Sequence, residues 1–450
     1  MTFSLPVPTD SRRGLARAWL GLGVAALLGS GVFSVLLVLA RTPYVQSVIP
    51  WADFFHTALV VHVDLSVLVW FLSCAGLLWT LNSTPRALSL GWAAWGLAAA
   101  GTALMAAAPF SGAGQPLMSN YIPVLRQPVF FAGLLTFAAG IALLVLRGMT
   151  AIPLVGPRSS GTAALRFGLN TATVATALAL LAFAWSYLGV PDGLAGRAYY
   201  ELLFWGGGHV LQFTWTLLLL VAWLWLADAL AAPPPITPRV ALVFFALGLA
   251  GIFVTPVIYL AYPVGSAAHI RLFTWLMQYG GSLAALPLAL AVCLGLLRRR
   301  AGRRPEHGPL LAALGASIVL FGTGGIIGYL IQGSNVTIPA HYHGSIVGVT
   351  LALMGLTFLL LPRLGAAPVR PRWATVQPLL YGGGQLLHVA GLVWSGGYGV
   401  QRKVAGAAQG LDRPPEIAAM ALMGLGGLIA ILGGLLFLVI VFDAWRRRAG

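Results

Sequence analysis

The chain has 450 residues, of which 59% are hydrophobic and 8% carry a charge. Soluble domains carry about 25% charged residues, so this composition excludes a soluble globular protein and predicts an integral membrane protein. The formal net charge of +16 at pH 7 does not indicate nucleic-acid binding, because the basic residues lie between the apolar segments, where they orient membrane spans.

Apolar segments recur along the whole chain. Spanning a bilayer takes roughly 20 apolar residues in a helix. The segments of that length predict an all-α integral membrane protein, a bundle of about 12 transmembrane helices in one membrane-embedded domain, 1–450. They are 16–40, 54–80, 88–109, 128–147, 167–189, 202–231, 239–262, 272–297, 309–332, 340–362, 376–397 and 416–443.

Lysine and arginine residues favour one orientation of this bundle. Cytoplasmic loops of membrane proteins carry an excess of basic residues. With the N-terminus in the cytoplasm, 26 basic residues divide unequally, and all but seven lie on the cytoplasmic side. We therefore expect both termini in the cytoplasm. The seven exceptions are Arg41, Arg126, Arg197, Arg271, Arg402, Lys403 and Arg413.

Several histidines fall at one predicted depth in the bundle. The tenth span begins with His341-Tyr342-His343, and residues two apart on a helix differ by about 200° in direction, so these imidazoles point to opposite sides. His62 in the second span and His209 in the sixth lie at a similar distance from the outer surface. Ionisable groups inside a membrane are costly and usually functional, and imidazole is a common haem ligand. The pattern predicts a buried metal layer.

The other histidines have simpler explanations. We interpret His56 as a packed, hydrogen-bonded group, His269 as part of an outer loop and His307 as part of an inner loop. His388 in the eleventh span lies near the depth of the layer, and either reading fits it. Gly206, Gly207 and Gly208 precede His209. They either allow close packing of helices or leave room for a flat macrocycle.

This pattern resembles subunit I of the haem-copper oxidase superfamily, which includes cytochrome oxidases, quinol oxidases and nitric oxide reductases. The resemblance covers essentially the whole chain. It implies that His62 and His343 hold a low-spin haem and that His341 holds a high-spin haem. It also implies that His209, within Trp205-Gly-Gly-Gly-His209, holds copper or non-haem iron. His62 fits the family's second-helix pattern better than His56 does.

The resemblance extends to cofactors and partners. Arg402 and Lys403 are similar to the family's basic pair near the haem propionates, which implies that they neutralise those carboxylates. We expect two haems, low-spin and high-spin and of b type, with copper or non-haem iron beside the second. The implied partners are membrane lipid, an electron-donor subunit or cytochrome c or quinol, and O2 or NO. No nucleic-acid partner is expected, and the implied location is a bacterial-type inner (plasma) membrane.

Two departures from the family concern the non-haem metal. The family's adjacent histidine pair on the seventh helix, which supplies two ligands, falls on Val257-Ile258 here. No tyrosine or glutamate follows His209 within one turn, where the chain has Leu211-Gln212-Phe213. Tyr259 is the candidate replacement for the redox tyrosine, or else a packed core residue.

Three hypotheses of function follow. The first is a membrane haem oxidoreductase, a terminal oxidase or nitric oxide reductase-like enzyme, with His341, His209 and Tyr259 as catalytic residues. The second is a haem-binding, non-catalytic or sensory relative that has lost the non-haem metal site. The third is a twelve-helix transporter, which the lack of an internal repeat disfavours.

Overall fold

The computed structural model describes residues 2–45, 54–112, 114–299, 302 and 304–447. Long helices follow one another through these ranges, and each coincides with one predicted span. In chain order we label them α1 Arg12–Arg41, α2 Phe55–Leu81, α3 Leu88–Phe110, α4 Pro128–Thr150, α5 Gly161–Gly189, α6 Gly196–Ala229, α7 Pro238–Ala261, α8 Ala267–Leu297, α9 His307–Tyr329, α10 Thr337–Leu360, α11 Pro371–Gly396 and α12 Pro414–Arg446.

Eleven of these helices are long and apolar enough to cross a membrane, judged on the described residues. The exception is α11, which has 26 residues but is less apolar. It carries Gln377, Gln385, His388 and Ser395, all of them buried, so its polarity reflects groups that face other helices. The all-α prediction is confirmed, and the assignment of α11 as a twelfth span stays a prediction.

Local sequence explains where several helices begin. Thr237 caps α7: its hydroxyl accepts a hydrogen bond from the backbone N–H of Val240, and Pro238 occupies the first turn, where no N–H is needed. Ser266 caps α8 in the same way through the N–H of His269. His269 therefore lies in a helix, and its predicted place in an outer loop is wrong. His307 likewise opens α9 rather than lying in a loop.

A short antiparallel hairpin lies between α3 and α4. Its strands are β1 Gln115–Leu117 and β2 Val124–Arg126, with Gln115 opposite Arg126 and Leu117 opposite Val124. The connection between the strands carries Tyr121. Two strands of three residues leave no alternating pattern long enough to predict from the sequence.

The described residues form two compact units. The first comprises Met1–Ala26 and Val63–Ala301, and its most buried helix is α6, which includes the enclosed Trp223 and Trp225. The second comprises Leu27–His62 and Gly302–Gly450. One apolar cluster of the second unit joins α10, α11 and α12, through Val336, Ala340, Val389, Leu392, Val400, Met420 and Met423.

Glycines bring α11 and α12 into close contact. A Cβ added at Gly384 would lie 2.5 Å from the backbone nitrogen of Ala430, whereas a Cβ at Gly383 would meet nothing within 4 Å. Small residues allow membrane helices to approach closely in this way. A β-carbon therefore fits at Gly383 and does not fit at Gly384.

We expect Gly384→Ala to destabilise the protein by about 1–3 kcal/mol, because the new methyl group overlaps backbone that cannot move aside. The matched control, Gly383→Ala, should be neutral or stabilising by about 0.5–1 kcal/mol, since alanine favours helix. Thermal unfolding in detergent measures both. Equal melting temperatures for the two variants would contradict this account of the α11–α12 contact.

Candidate haem and metal sites

His62 and its support lie in the second unit. Its Nδ1 is 3.1 Å from the carbonyl oxygen of Ser30 and 2.9 Å from the Ser30 hydroxyl oxygen. A carbonyl only accepts, so Nδ1 carries the proton and donates it. The unprotonated nitrogen of this tautomer is Nε2, and this is the nitrogen that would ligate a haem iron. Ligating histidines in proteins usually donate the other ring N–H to such an acceptor, which fixes the ring and raises its basicity.

His341 is held in the same way. Its Nδ1 donates to the carbonyl of Gly324 on α9, at 2.7 Å. Gly328, one turn along α9, leaves space for the ring, because a Cβ there would lie 2.6 Å from His341 Nδ1. The sequence of α9 thus supplies both the acceptor and the room. By the same argument the unprotonated nitrogen of His341 is Nε2, the nitrogen that a haem iron would require.

His343 has side-chain neighbours. Its ring centroid lies 4.6 Å from that of His388 on α11, with the ring planes 57° apart. His62 is also close enough to His343 to interact electrostatically. The second unit therefore brings together three of the predicted haem-site residues and adds His388. Their donor chemistry fits haem: fixed imidazoles at His62 and His341, with His343 near His62.

The basic pair lies in the same unit and has companions. Arg41, at the end of α1, places its Nη2 3.4 Å from the carbonyl of Gln401 and its Nε 3.4 Å from Gln409 Oε1. His56 Nε2 donates to the carbonyl of Lys403 at 3.0 Å. The segment that contains Arg402 and Lys403 is thus tied to α1 and α2. The interpretation of His56 as a hydrogen-bonded, structural group agrees with this contact.

Arg41 was missed as a site residue. Its signal in the sequence is that it is one of the few basic residues on the predicted outer side. Its nearness to Arg402 depends on a contact between residues 360 apart in the chain, which no local pattern reveals.

His209 belongs to the first unit, and both of its nitrogens are engaged. Nδ1 donates to the carbonyl of Trp205 at 2.7 Å, and Nε2 lies 2.8 Å from the hydroxyl oxygen of Tyr121. Burial raises the pKa of Tyr121 well above its usual value, and the charge of Glu201 raises it further. The phenol therefore keeps its proton and donates it to Nε2. The nitrogen that a metal would need is used by a tyrosine.

The connection between β1 and β2 contacts α6 through two side chains. Asn120 Nδ2 donates to a carboxylate oxygen of Glu201, and Tyr121 reaches His209 two turns further along α6. Glu201, Trp205 and His209 are spaced four residues apart, so they share one face of the helix. The connection between β1 and β2 covers that face.

Each glycine before His209 accommodates one aromatic ring. A Cβ at Gly206 would collide with the hydroxyl of Tyr259, one at Gly207 with Phe183, and one at Gly208 with Tyr121. The Gly-Gly-Gly run thus allows close packing, and the space beside it is filled by these side chains. Without a β-carbon at three successive positions, α6 can be covered by rings on three sides.

Tyr259 is held by neutral partners. Its hydroxyl lies 2.7 Å from Ser186 Oγ, donates to the carbonyl of Ala182 at 3.0 Å, and its ring stacks on Trp185 with centroids 5.1 Å apart. Val257 is 60% exposed and Ile258 is 2% exposed. The position of the family's histidine pair is therefore occupied by one outward-facing and one packed aliphatic side chain. The catalytic role of Tyr259 stays a prediction.

His269 is near His209 but does not join it. It is fully buried, and its ring lies 5.0 Å from Phe273, whose ring lies 6.2 Å from His209. Throughout the described ranges, no group of three or more histidine, cysteine, aspartate or glutamate side chains is arranged to hold a metal ion. One imidazole that is already hydrogen-bonded at both nitrogens does not fit copper or non-haem iron.

Comparison with known proteins gives the family. Residues 14–436 match the family model described as cytochrome c and quinol oxidase polypeptide I. The chain belongs to this family. The predicted resemblance to haem-copper oxidase subunit I is confirmed, and with it a multi-pass membrane protein of an oxidoreductase family that uses haem.

The matches between this oxidase polypeptide I-type chain and individual proteins cover most of its length. It is 28% identical to an uncharacterized protein of Rickettsia prowazekii (strain Madrid E), over 95% of both chains. It is 29% identical to an uncharacterized protein of Aquifex aeolicus (strain VF5), over 77% of this chain and 84% of that one. A haem-copper terminal oxidase dimer solved by cryo-EM shares the fold, with a TM-score of 0.73 and 17% identity, over 97% of this chain and 84% of that chain.

Proposed function

We propose that this member of the oxidase polypeptide I family is a membrane haem oxidoreductase that reduces dioxygen or nitric oxide. His62 and His343 are the ligands of a low-spin haem, and His341 is the ligand of a high-spin haem. The observation that carries the proposal is the pair of Nδ1–H bonds to backbone carbonyls, at His62 and at His341. Such bonds fix the tautomer that a haem iron requires.

Bound haem supplies the electron transfer and the binding of the gas. The protein holds the haems and orients their imidazole ligands. The carbonyls of Ser30 and Gly324 orient two imidazoles and strengthen their Nε2 atoms as donors. His341 and His343 are two residues apart on α10, so one helix serves both sides. Arg402 and Lys403, with Arg41 beside their segment, neutralise the propionates by charge-assisted hydrogen bonds.

The proposal includes the setting of the reaction. The protein lies in a bacterial-type plasma membrane with both termini in the cytoplasm. Its sequence contains no Cys-x-x-Cys-His motif for covalent haem, so a cytochrome c, a quinol or a donor subunit brings the electrons. The enzyme works without a metal at His209, because Tyr121 occupies the nitrogen that would bind it.

One observation favours a second candidate function. The engaged His209 and the aliphatic Val257-Ile258 remove the non-haem metal on which the family's oxidases depend. A haem-binding, non-catalytic or sensory protein would retain the haem ligands of the second unit and lose that metal. The hydrogen bonds at both nitrogens of His209 and the aliphatic side chains of Val257 and Ile258 support this candidate.

A reduced-minus-oxidised spectrum of the purified protein, with and without carbon monoxide, tests the first proposal. We expect low-spin haem bands together with a second haem that binds carbon monoxide. Consumption of O2 or NO with a reduced donor should follow. A low-spin spectrum that ignores carbon monoxide would support the second candidate instead, and a protein that takes up no haem would overturn both.

A further inference from the structure

His343 differs from the other two proposed haem ligands in the group that supports it. His62 and His341 each donate from Nδ1 to a backbone carbonyl. The hydrogen-bond partner of His343 is instead a side chain, that of Gln385 on α11. A substitution leaves a backbone carbonyl in place, but it can change a side-chain acceptor. The support of His343 is therefore the one whose chemistry the sequence can set.

The amide oxygen of Gln385 is a buried acceptor. Gln385 is 9% exposed, and its Oε1 is enclosed. Among the described residues, this oxygen has no hydrogen-bond partner apart from His343. Leaving a buried acceptor without a donor is costly. An amide oxygen only accepts, so the ring nitrogen of His343 that faces it carries the proton, and the other nitrogen keeps the lone pair that an iron requires.

His388 lies on the same face of α11 and has a different role. It is three residues from Gln385, so the two side chains are neighbours on the helix surface. The ring of His388 packs against that of His343, with centroids 4.6 Å apart and planes tilted by 57°. Its own Nδ1 lies 2.9 Å from the carbonyl oxygen of Met423 on α12. His388 thus supplies packing to His343, and Gln385 supplies the hydrogen bond.

Close contact with α12 holds this face of α11 in position. A Cβ added at Gly384 would lie 2.5 Å from the backbone nitrogen of Ala430, and one at Gly426 of α12 would overlap the backbone nitrogen of His388. These glycines lie beside Gln385 on both helices. Because the backbones already touch, α11 has little freedom to slide or rotate, and the amide of Gln385 stays directed at His343.

We propose that Gln385 accepts the N–H of His343 and thereby lowers the reduction potential of the low-spin haem. This inference rests on the proposed function, in which His343 binds that haem. A hydrogen bond to an acceptor raises the basicity of a metal-bound imidazole, and a more electron-rich axial ligand favours ferric over ferrous iron. Gln385 is a positioning residue, because it acts through His343.

Redox titration of the low-spin haem in the full-length protein tests the proposal. Gln385→Leu removes the acceptor, and we expect the ratio of reduced to oxidised haem at a fixed potential to rise about tenfold, an upward shift of about 59 mV for one electron. The matched control is Gln377→Leu. Gln377 is a second buried glutamine of α11, but it donates to the carbonyl of Gly433 at 3.2 Å, so its loss should leave the potential unchanged.

A second variant tests the opposite direction. An ionised carboxylate is a stronger acceptor than an amide, so Gln385→Glu at alkaline pH should lower the potential below that of the wild type. Electron paramagnetic resonance of the ferric haem separates the hydrogen bond from the added charge. The low-spin g values report the character of the axial imidazole, and we expect them to move in opposite directions in Gln385→Leu and Gln385→Glu.

Two results would overturn the proposal: an unchanged potential in Gln385→Leu, or an equal shift in Gln377→Leu. If Gln385→Leu loses its haem, Gln385→Glu decides, and g values identical to those of the wild type would then refute the role of Gln385. A wild-type protein without a low-spin haem would refute the proposed function instead.

Discussion

Replacement of His62 by alanine is expected to abolish the low-spin haem spectrum and to remove about half of the bound haem. His62 is the one histidine of α2 whose Nδ1 is fixed by the Ser30 carbonyl, which leaves Nε2 as the ligating nitrogen. Loss of this imidazole should therefore leave the low-spin iron without one of its two protein ligands.

The matched control is His56→Ala on the same helix. His56 donates to the carbonyl of Lys403, so its loss costs about 0.5–1.5 kcal/mol of stability, as for an ordinary hydrogen bond. The low-spin bands should remain. A pyridine haemochrome assay gives haem per chain, and the optical spectrum assigns which haem is lost. Survival of the low-spin bands in His62→Ala would refute the assignment of His62 as a haem ligand. Loss of these bands in His56→Ala would mean that His56 is the ligand instead.

The sequence was sufficient for features that repeat or that lie on one helix. Hydrophobic segments of about 20 residues predicted every helix from α1 to α12, because spanning a bilayer leaves few alternatives to a long apolar helix. The opposite directions of His341 and His343 could also be predicted, because they follow from helix geometry alone.

Features that depend on distant contacts were not predictable. Tyr121 reaches His209 across 88 residues of sequence, and its loop has no motif. The Met423 carbonyl that fixes His388 lies 35 residues away. The polar residues of α11 gave a weaker membrane signal because they face other helices rather than lipid. In each case the missing information was which side chains meet.

The glycine run before His209 shows how such a contact changes an interpretation. Three glycines were compatible with close packing or with a macrocycle. Phe183, Tyr259 and Tyr121 approach them where a β-carbon would stand. The two alternatives differ only in what comes from outside α6, so only the tertiary structure separates them.

Replacement of His209 is expected to change the stability of the protein and not its metal content. We expect the purified protein to contain haem without stoichiometric copper or non-haem iron, because the Nε2 of His209 accepts from Tyr121 and the seventh-helix positions are aliphatic. His209→Ala should leave the metal content unchanged. It should destabilise the protein by about 1–3 kcal/mol, since it leaves the half-buried hydroxyl of Tyr121 without its acceptor.

A double-mutant cycle with Tyr121→Phe gives the control. That variant removes the hydroxyl and keeps the ring that packs on Gly208. Once the hydroxyl is gone, His209→Ala should cost less, so the two effects should be coupled by about 0.5–1.5 kcal/mol. Unfolding in detergent measures the cycle, and elemental analysis is done on the same samples. If copper or iron is stoichiometric in the wild type and lost in His209→Ala, His209 is a metal ligand after all. Additive losses with no change in metal would mean that the 2.8 Å contact of His209 with Tyr121 does not stabilise the protein.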